Sequence, residues 1–274
     1  DIQDSWVIPA LKNINTLVAR RSRKIERNSI LLADGVAFNI PVMKKSYDEF
    51  YQIGHKSNLF MNGFDFKYHK NNQTNKPISL ELNKSKLNIG YFGKIHIGND
   101  EYFRDIRKFF DFFKLAEDKF KKNIHLDIYG HFSGDYKSWL SKVPFAYKGH
   151  LNFSDVFDYM KQYDILMLFH SDKTRAEEVL TGKVFEYLYA KKPIMVLGPE
   201  NMIEARNLIE KNELGIFVNI FDKNDIIDKL NFLVHLKRKN ELSGFYNQNF
   251  DLKNFDREII NLKYLSWVNQ FKIL

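Results

Sequence analysis

Thr181-Gly182-Lys183-Val184-Phe185-Glu186-Tyr187-Leu188-Tyr189-Ala190-Lys191-Lys192-Pro193-Ile194-Met195-Val196-Leu197-Gly198-Pro199 is the stretch from which the rest of the chain is read. Val184, Phe185 and Leu188 share an apolar face at helical spacing. Pro193 stops that helix, and Ile194 to Leu197 is an apolar run of strand length. The helix opens at Thr181-Gly182, where unpaired backbone N–H groups and the positive end of the dipole suit a phosphate. A lysine in the first turn, Lys183, is poorly placed for helix stability. Glu186, one turn on, is spaced to accept from ribose hydroxyls. The same two residues also read as an ordinary solvated i, i+3 pair, and their chemistry alone leaves both readings open.

The pattern repeats outward in both directions. Short apolar runs at Leu87–Phe92, Ile124–Tyr129, Phe145–Tyr147, Ile165–Phe169 and Gly215–Val218 alternate with helical segments near 101–121, 135–141, 153–162, 201–212 and 223–236. Strands alternating with helices predict a parallel sheet covered on both faces. Ligands of such sheets sit at the carboxyl ends of the strands, which singles out the loops Gly93–Asp100, Gly130–Gly134 and His170–Gly182. Before this region the spacing predicts a helix over 11–31, strands at 33–39 and 58–61, and a helix over 44–53 with Tyr47 and Phe50 as its apolar points. Residues 66–85, with Asn71-Asn72-Gln73-Thr74-Asn75-Lys76-Pro77, read as a polar linker. The tail, 252–272, reads as a closing helix with Phe255, Ile259, Leu262 and Leu265 on its apolar face. The expected division is 1–75, 76–250 and 251–274.

The 274 residues are 44% hydrophobic and 28% charged, an ordinary globular composition with a net charge of +8. That charge favours anionic partners without bearing on the fold. The absence of cysteine excludes disulfides, thiolate nucleophiles and Cys-ligated zinc. No apolar run approaches the roughly 18 residues that span a bilayer, and no signal peptide is visible, so a cytoplasmic location is expected. The basic run Arg20-Arg21-Ser22-Arg23-Lys24 reads first as a solvated helix face and second as a patch for peripheral contact with the inner membrane face; no nucleic-acid partner is expected.

Several chemistries find no motif. Gly90, Gly93 and Gly98 do not fit G-x-G-x-x-G, and G-x-x-x-x-G-K-[ST], H-E-x-x-H and G-x-S-x-G are absent. There is no D-x-D to hold a divalent ion. His150 and His170 follow predicted strands, where either a ligand contact or a structural role is open. A carboxylate pair remains, Glu178 and Glu186, with Glu177 adjacent.

Glu178 and Glu186, with seven residues between them, match the E-x7-E pattern of the GT-B glycosyltransferases, and Leu180–Leu188 followed by Lys192-Pro193-Ile194 is similar to the donor-side signature of the group-1, family-4-like members. Ile89-Gly90-Tyr91-Phe92-Gly93-Lys94, Asp127-Ile128-Tyr129-Gly130, Gly149-His150-Leu151 and Tyr163-Asp164-Ile165-Leu166 resemble further segments of their donor domain. Asn62-Gly63-Phe64-Asp65 and Asp1–Trp6 resemble pieces of the acceptor domain. The resemblance implies an α/β fold with a doubly wound, Rossmann-like parallel sheet and a partial second α/β domain at the N-terminus. It begins partway through the family's length, which implies an incomplete acceptor domain and poor catalysis by this chain alone.

In that family a nucleoside-diphosphate sugar is the donor, so the resemblance implies transfer of a sugar to a glycan or lipid-linked acceptor, as in surface polysaccharide biosynthesis. By position, Lys94 and Lys183 would face the diphosphate beside Gly93 and the N–H groups at Gly182. Glu186 would take the ribose, Glu178 would sit near the sugar and His150 would lie by the base. Glu178 and Lys183 are then the catalytic candidates, with no metal and no cofactor beyond the sugar nucleotide. Two departures stand out: Lys94 is alone, with His96 nearby, where the family often has Arg and Lys together, and the glycine-rich turn before the second glutamate is reduced to Gly182. A non-catalytic binding module of the same fold and a sugar-nucleotide epimerase are the alternatives.

Overall fold

The computed structural model describes residues 1–4, 15–72, 78, 80–97, 107, 122–134, 145–174 and 176–271. The helices expected near 101–121 and 135–141 lie outside the described residues. The chain begins with α1 (Leu17–Leu32), β1 (Val36–Phe38), α2 (Pro41–Tyr51), β2 (Ser57–Leu59) and α3 (Phe66–Asn72). β1 and β2 pair in parallel, and Ile2 bridges Phe38 on the other edge. Thr16 caps α1 by accepting from the Ala19 N–H. Ile30, Phe38, Met43, Tyr47 and Ile53 form the core of this small unit. Glu26 is buried there and accepts from the Tyr47 and Tyr51 hydroxyls at 2.5 and 2.7 Å. Burial of Tyr51, with the hydrogen bond to Glu26 and its negative charge, pushes the Tyr51 phenol far above its ordinary value. The i, i+4 pair Tyr47 and Tyr51 thus takes the inward face of α2. Phe50 falls outside it, edge-on to Tyr51 and exposed, against the expectation from spacing.

The larger unit contains β3 (Leu87–Phe92), β4 (Ile95–Ile97), β5 (Ile124–Tyr129), β6 (Phe132–Gly134), β7 (Ala146–Gly149), α4 (Phe153–Met160), β8 (Ile165–Phe169), α5 (Gly182–Ala190), β9 (Ile194–Gly198), α6 (Ile203–Lys211), β10 (Gly215–Asn219) and α7 (Lys223–Arg238); α8 (Arg257–Asn269) closes the chain. Six strands make one parallel sheet in the order β10-β9-β8-β3-β5-β7. β3, β8 and β9 are buried at every position, as strands are when helices cover both faces. α7 covers one face with Ile226, Leu230 and Leu233. α4, α5 and α6 cover the other with Phe157, Met160, Val184, Leu188 and Ile209. Each fully buried aliphatic side chain contributes on the order of 1.5–3 kcal/mol. From β3 the chain winds outward through β5 to β7, then returns and winds the other way from β8 to β10. The reversal between β3 and β8 is where sheets of this order bind ligands.

Three segments differ from their sequence-based expectation. Residues 95–97, expected in a loop, form β4 and pair with β6. β3 and β5 already run side by side, and the bonds Gly93 N–H to Tyr129 O (2.8 Å) and Ile95 N–H to His131 O (2.9 Å) carry their ladder onward. Residues 66–72, expected in the polar linker, form α3, whose His69 is buried among Phe64, Phe153 and Phe157 with ring centroids 4.1, 4.6 and 4.7 Å away. That burial lowers the His69 pKa, against the pull of Asp65.

The third segment is α8. Leu262 and Leu265 are exposed, and Phe255 lies in the preceding turn, buried against Phe185 and Phe250. The packed face is instead Ile260, Tyr264, Trp267 and Phe271, because the surface it meets belongs to the small unit. Phe60 contacts the rings of Tyr264 and Trp267 at 5.1 and 5.3 Å. Gly35 is pressed so close to Trp267 and Phe271 that a Cβ there would stand 2.8 Å from both rings.

Two further contacts join the units. Phe64 N–H donates to Phe255 O and Arg257 N–H to Phe64 O. α2 starts with Pro41 and lacks a cap of its own; the Val42 N–H donates to the Glu204 carboxylate of α6 at 2.8 Å. Burial raises the Glu204 pKa, and this bond opposes the rise.

Candidate functional site

The carboxyl ends of β3, β5 and β7 and the first turns of α5 enclose a cleft of about 300 Å³. Its floor is backbone. Gly130 has φ +127°, a region closed to most side chains, and a Cβ there would fall 2.1 Å from the Gly93 carbonyl oxygen. The Gly130 N–H donates to Gly149 O at 2.9 Å, which ties the ends of β5 and β7 together, as Gly93 N–H to Tyr129 O ties those of β3 and β5. Tyrosines fix the loops from below: the Tyr91 hydroxyl donates to Lys94 O and the Tyr147 hydroxyl to Gly130 O, both at 2.9 Å.

α5 is fastened across the point where the winding reverses. The Tyr187 hydroxyl accepts from the Phe92 N–H on β3 at 3.0 Å and donates to Met167 O on β8 at 3.1 Å. One turn earlier, the Lys183 ammonium donates to Phe92 O at 2.9 Å and lies over the Tyr91 ring. It crosses directly above Gly93, where any Cβ would overlap it. Lys183 is therefore held at the cleft wall by a carbonyl. Glu186 lies one turn further along the same wall; burial raises its carboxyl pKa, and the charge of Lys183 opposes the rise.

The remaining lining divides in two. Lys94, His131 and His150 add nitrogen groups to it, and Tyr129, Leu151, Phe153 and Val156 add an apolar wall. A cleft that combines cations, a carboxylate and apolar surface can hold a molecule that is part anionic and part planar. The stack of Tyr129 on Phe92, centroids 4.9 Å apart, stiffens that wall.

The structure thus brings together Gly93, Lys94, His150, Lys183 and Glu186. Gly182 begins α5 beside the cleft without lining it. Glu178 also lies outside the lining, buried in the turn Ala176–Glu178, against which α2 and α6 pack. His131, Phe153 and Tyr187 escaped the sequence reading. His131 carried a usable signal, since it follows a strand and a glycine just as His150 does. Among the described residues, no cluster of three or more His, Asp or Glu is placed to hold a metal ion.

No protein-family model matches the sequence, and no curated protein matches it. Solved structures do match in fold. S. aureus TarM, as a mutant in complex with fondaparinux, alpha-GlcNAc-glycerol and UDP, superposes with a TM-score of 0.54 at 15% identity, covering 91% of this chain and 46% of that one. WaaG, a glycosyltransferase involved in lipopolysaccharide biosynthesis, gives 0.56 at 13% identity, covering 90% and 68%. The E. coli trehalose-6-phosphate protein bound with UDP-2-fluoro glucose gives 0.61 at 11% identity, covering 95% and 64%. The chain spans about half to two-thirds of the length of these structures. The chain thus shares the GT-B fold of these structures over most of its length, with a doubly wound parallel sheet of six strands.

Proposed function

We propose that this chain is the donor-binding part of a glycosyltransferase, moving a sugar from a nucleoside diphosphate to a glycan or lipid-linked acceptor in surface polysaccharide assembly. The observation that carries this reading is the cleft that Lys183 and Glu186 share at the carboxyl ends of β3, β5 and β7, beside the winding reversal of the sheet. The diphosphate lies against Lys183 and Lys94, with the open N–H groups at Gly182 beside it. Glu186 accepts from the ribose hydroxyls, and the base rests on the apolar wall near His150 and Phe153. As the glycosidic bond breaks, negative charge grows on the departing diphosphate, and cations already fixed in place stabilise it without reorganising. Lys183 is the candidate for that role, a reading supported by the Phe92 carbonyl that holds it. Glu178 is kept for the sugar side, at the boundary with α2. The charge stabilisation comes from side chains and helix N–H groups, so the reading is of a metal-independent transfer, in line with the missing D-x-D.

A thermal-shift panel of nucleoside diphosphates tests this. A ligand at a hundredfold excess over its dissociation constant adds about 3 kcal/mol of stability. Lys183→Ala and Glu186→Ala should each remove the shift while the unliganded proteins still melt cooperatively. An identical response from wild type and both variants would place the ligand elsewhere.

A further inference from the structure

A separate pocket of about 240 Å³ lies at the strand ends of the small unit and shares no lining residue with the donor cleft. β1 and β2 run in parallel and stop at Phe38 and Leu59, so Asn39 and Phe60 leave their carboxyl ends side by side. The Phe60 N–H fixes that arrangement by donating to Phe38 O at 2.7 Å. This is the edge at which a parallel sheet presents its ligands. α8 supplies the opposite wall with Ile260, Asn261 and Tyr264. Gly63 lets the helix come this close, since a Cβ there would stand 2.7 Å from Ile260 Cδ1.

The pocket contains a buried polar group that the fold does not satisfy. Asn39 is only 7% exposed, and its Oδ1 finds no hydrogen-bond partner among the described residues. Such a group destabilises a protein unless something bonds to it. Gln3, Asn62 and Asn261 add exposed carboxamides to the lining. A carboxamide both donates and accepts, as a sugar hydroxyl does. The rings of Phe60 and Tyr264, edge to face at 5.1 Å, offer apolar surface for the C–H side of a sugar ring. The charged side chains of the lining, Asp1 and Arg257, are of opposite sign, so it does not select an ion. Its volume falls below the roughly 300–1,000 Å³ of sites for larger ligands and suits a single ring. From these features we infer that the pocket binds one neutral sugar ring, with Asn39 as its buried hydrogen-bonding group. Because its walls come from both the small unit and α8, the occupant holds the two together. The inference is independent of the proposed transfer, since a sugar here touches neither Lys183 nor Glu186.

The test uses the full 274-residue chain and saturation-transfer NMR with D-glucose, D-galactose and N-acetyl-D-glucosamine. At least one should bind with a dissociation constant on the order of 1 mM, as expected of a ligand of about a dozen heavy atoms. Asn39→Leu should weaken binding roughly tenfold, and Asn261→Ala about threefold. Because the Asn39 oxygen has no partner to lose, Asn39→Leu should keep or raise the Tm of the free protein, whereas a purely structural asparagine would lower it. Should Asn39→Leu fail to fold, the exposed Asn261→Ala decides alone. Lys239→Gln, far along the chain on α7, should leave binding unchanged. Saturating uridine diphosphate should not displace the sugar, and failure of the donor site to bind it would leave this result standing. A methyl glycoside that binds as well as the free sugar supports the end of a glycan as the occupant, and one that fails supports a free monosaccharide. No bound sugar, binding untouched by the pocket variants, or displacement by uridine diphosphate overturns the inference. Inorganic phosphate bound in place of sugar overturns it in favour of an anion site at Arg257.

Discussion

The small unit and the large sheet are both made of parallel strands under helices, yet they are held together in different ways. The sheet has six strands, two apolar faces and helices on each. Among the described residues the small unit has two strands of three residues and a core of seven buried residues. A core of that size contributes little stability of its own. Its stability is borrowed through α8, through the Val42–Glu204 bond and through the backbone exchange at Phe64. The cleft sits on the larger unit, whereas the pocket beside Asn39 sits where the smaller one meets α8.

The largest expected effect breaks the strong side. Gly130→Ala puts a Cβ at positive φ and into the Gly93 carbonyl. It should cost about 3–4 kcal/mol in urea denaturation and abolish the response to nucleoside diphosphate. Next in size is the weak side. Trp267→Ala removes ring contacts to Phe60 and packing over Gly35, a loss of about 2 kcal/mol. It should speed hydrogen exchange in α1 and α2 while leaving the amides of β3, β8 and β9 protected and the nucleotide response intact. Equal acceleration in both units would mean that they unfold as one.

The smallest effect sharpens the comparison inside the cleft. The Glu186 pKa is raised above its ordinary value of about 4.5 by burial. The stability linked to this group is therefore full below its unfolded pKa and is lost as pH rises through the folded one. Glu186→Gln escapes that loss. Its Tm should exceed that of wild type near about pH 7.5, and the two should converge near about pH 4, in a pH series of melting curves. A side chain that lowers stability at neutral pH, yet is needed for ligand, belongs to a binding site. Wild type more stable than the variant at neutral pH would count against the burial of this carboxylate.

Legibility follows the same division. Leu87–Phe92, Ile124–Tyr129 and Ile165–Phe169 are strands that the sequence predicts, because strands buried on both faces are largely apolar; the buried Asn88 donates to Asp164, and the buried Asp127 accepts from Tyr163. Lys183 and Glu186 were readable too, since one short helix fixes both. Glu178 was paired with them by spacing, but the turn between β8 and α5 carries it out of the cleft lining. Features that depend on a distant partner were hidden. The face of α8 that packs is chosen by Phe60, Gly35 and Gly63, about two hundred residues away in sequence. α3 is anchored by isolated aromatic and histidine rings in an otherwise polar stretch. The Glu204 cap on α2 has no local signature at all, because an acid on one helix serves the start of another.

Ile2 and Trp267 are both fastened to the small unit, the first by a main-chain bond to Ala37 and the second by ring contact with Phe60. The sheet is thus a long excursion between two neighbouring moorings. A force applied between Ile2 and Trp267 would load those short strands and α8 first, and the six-stranded sheet would feel no tension until they had parted.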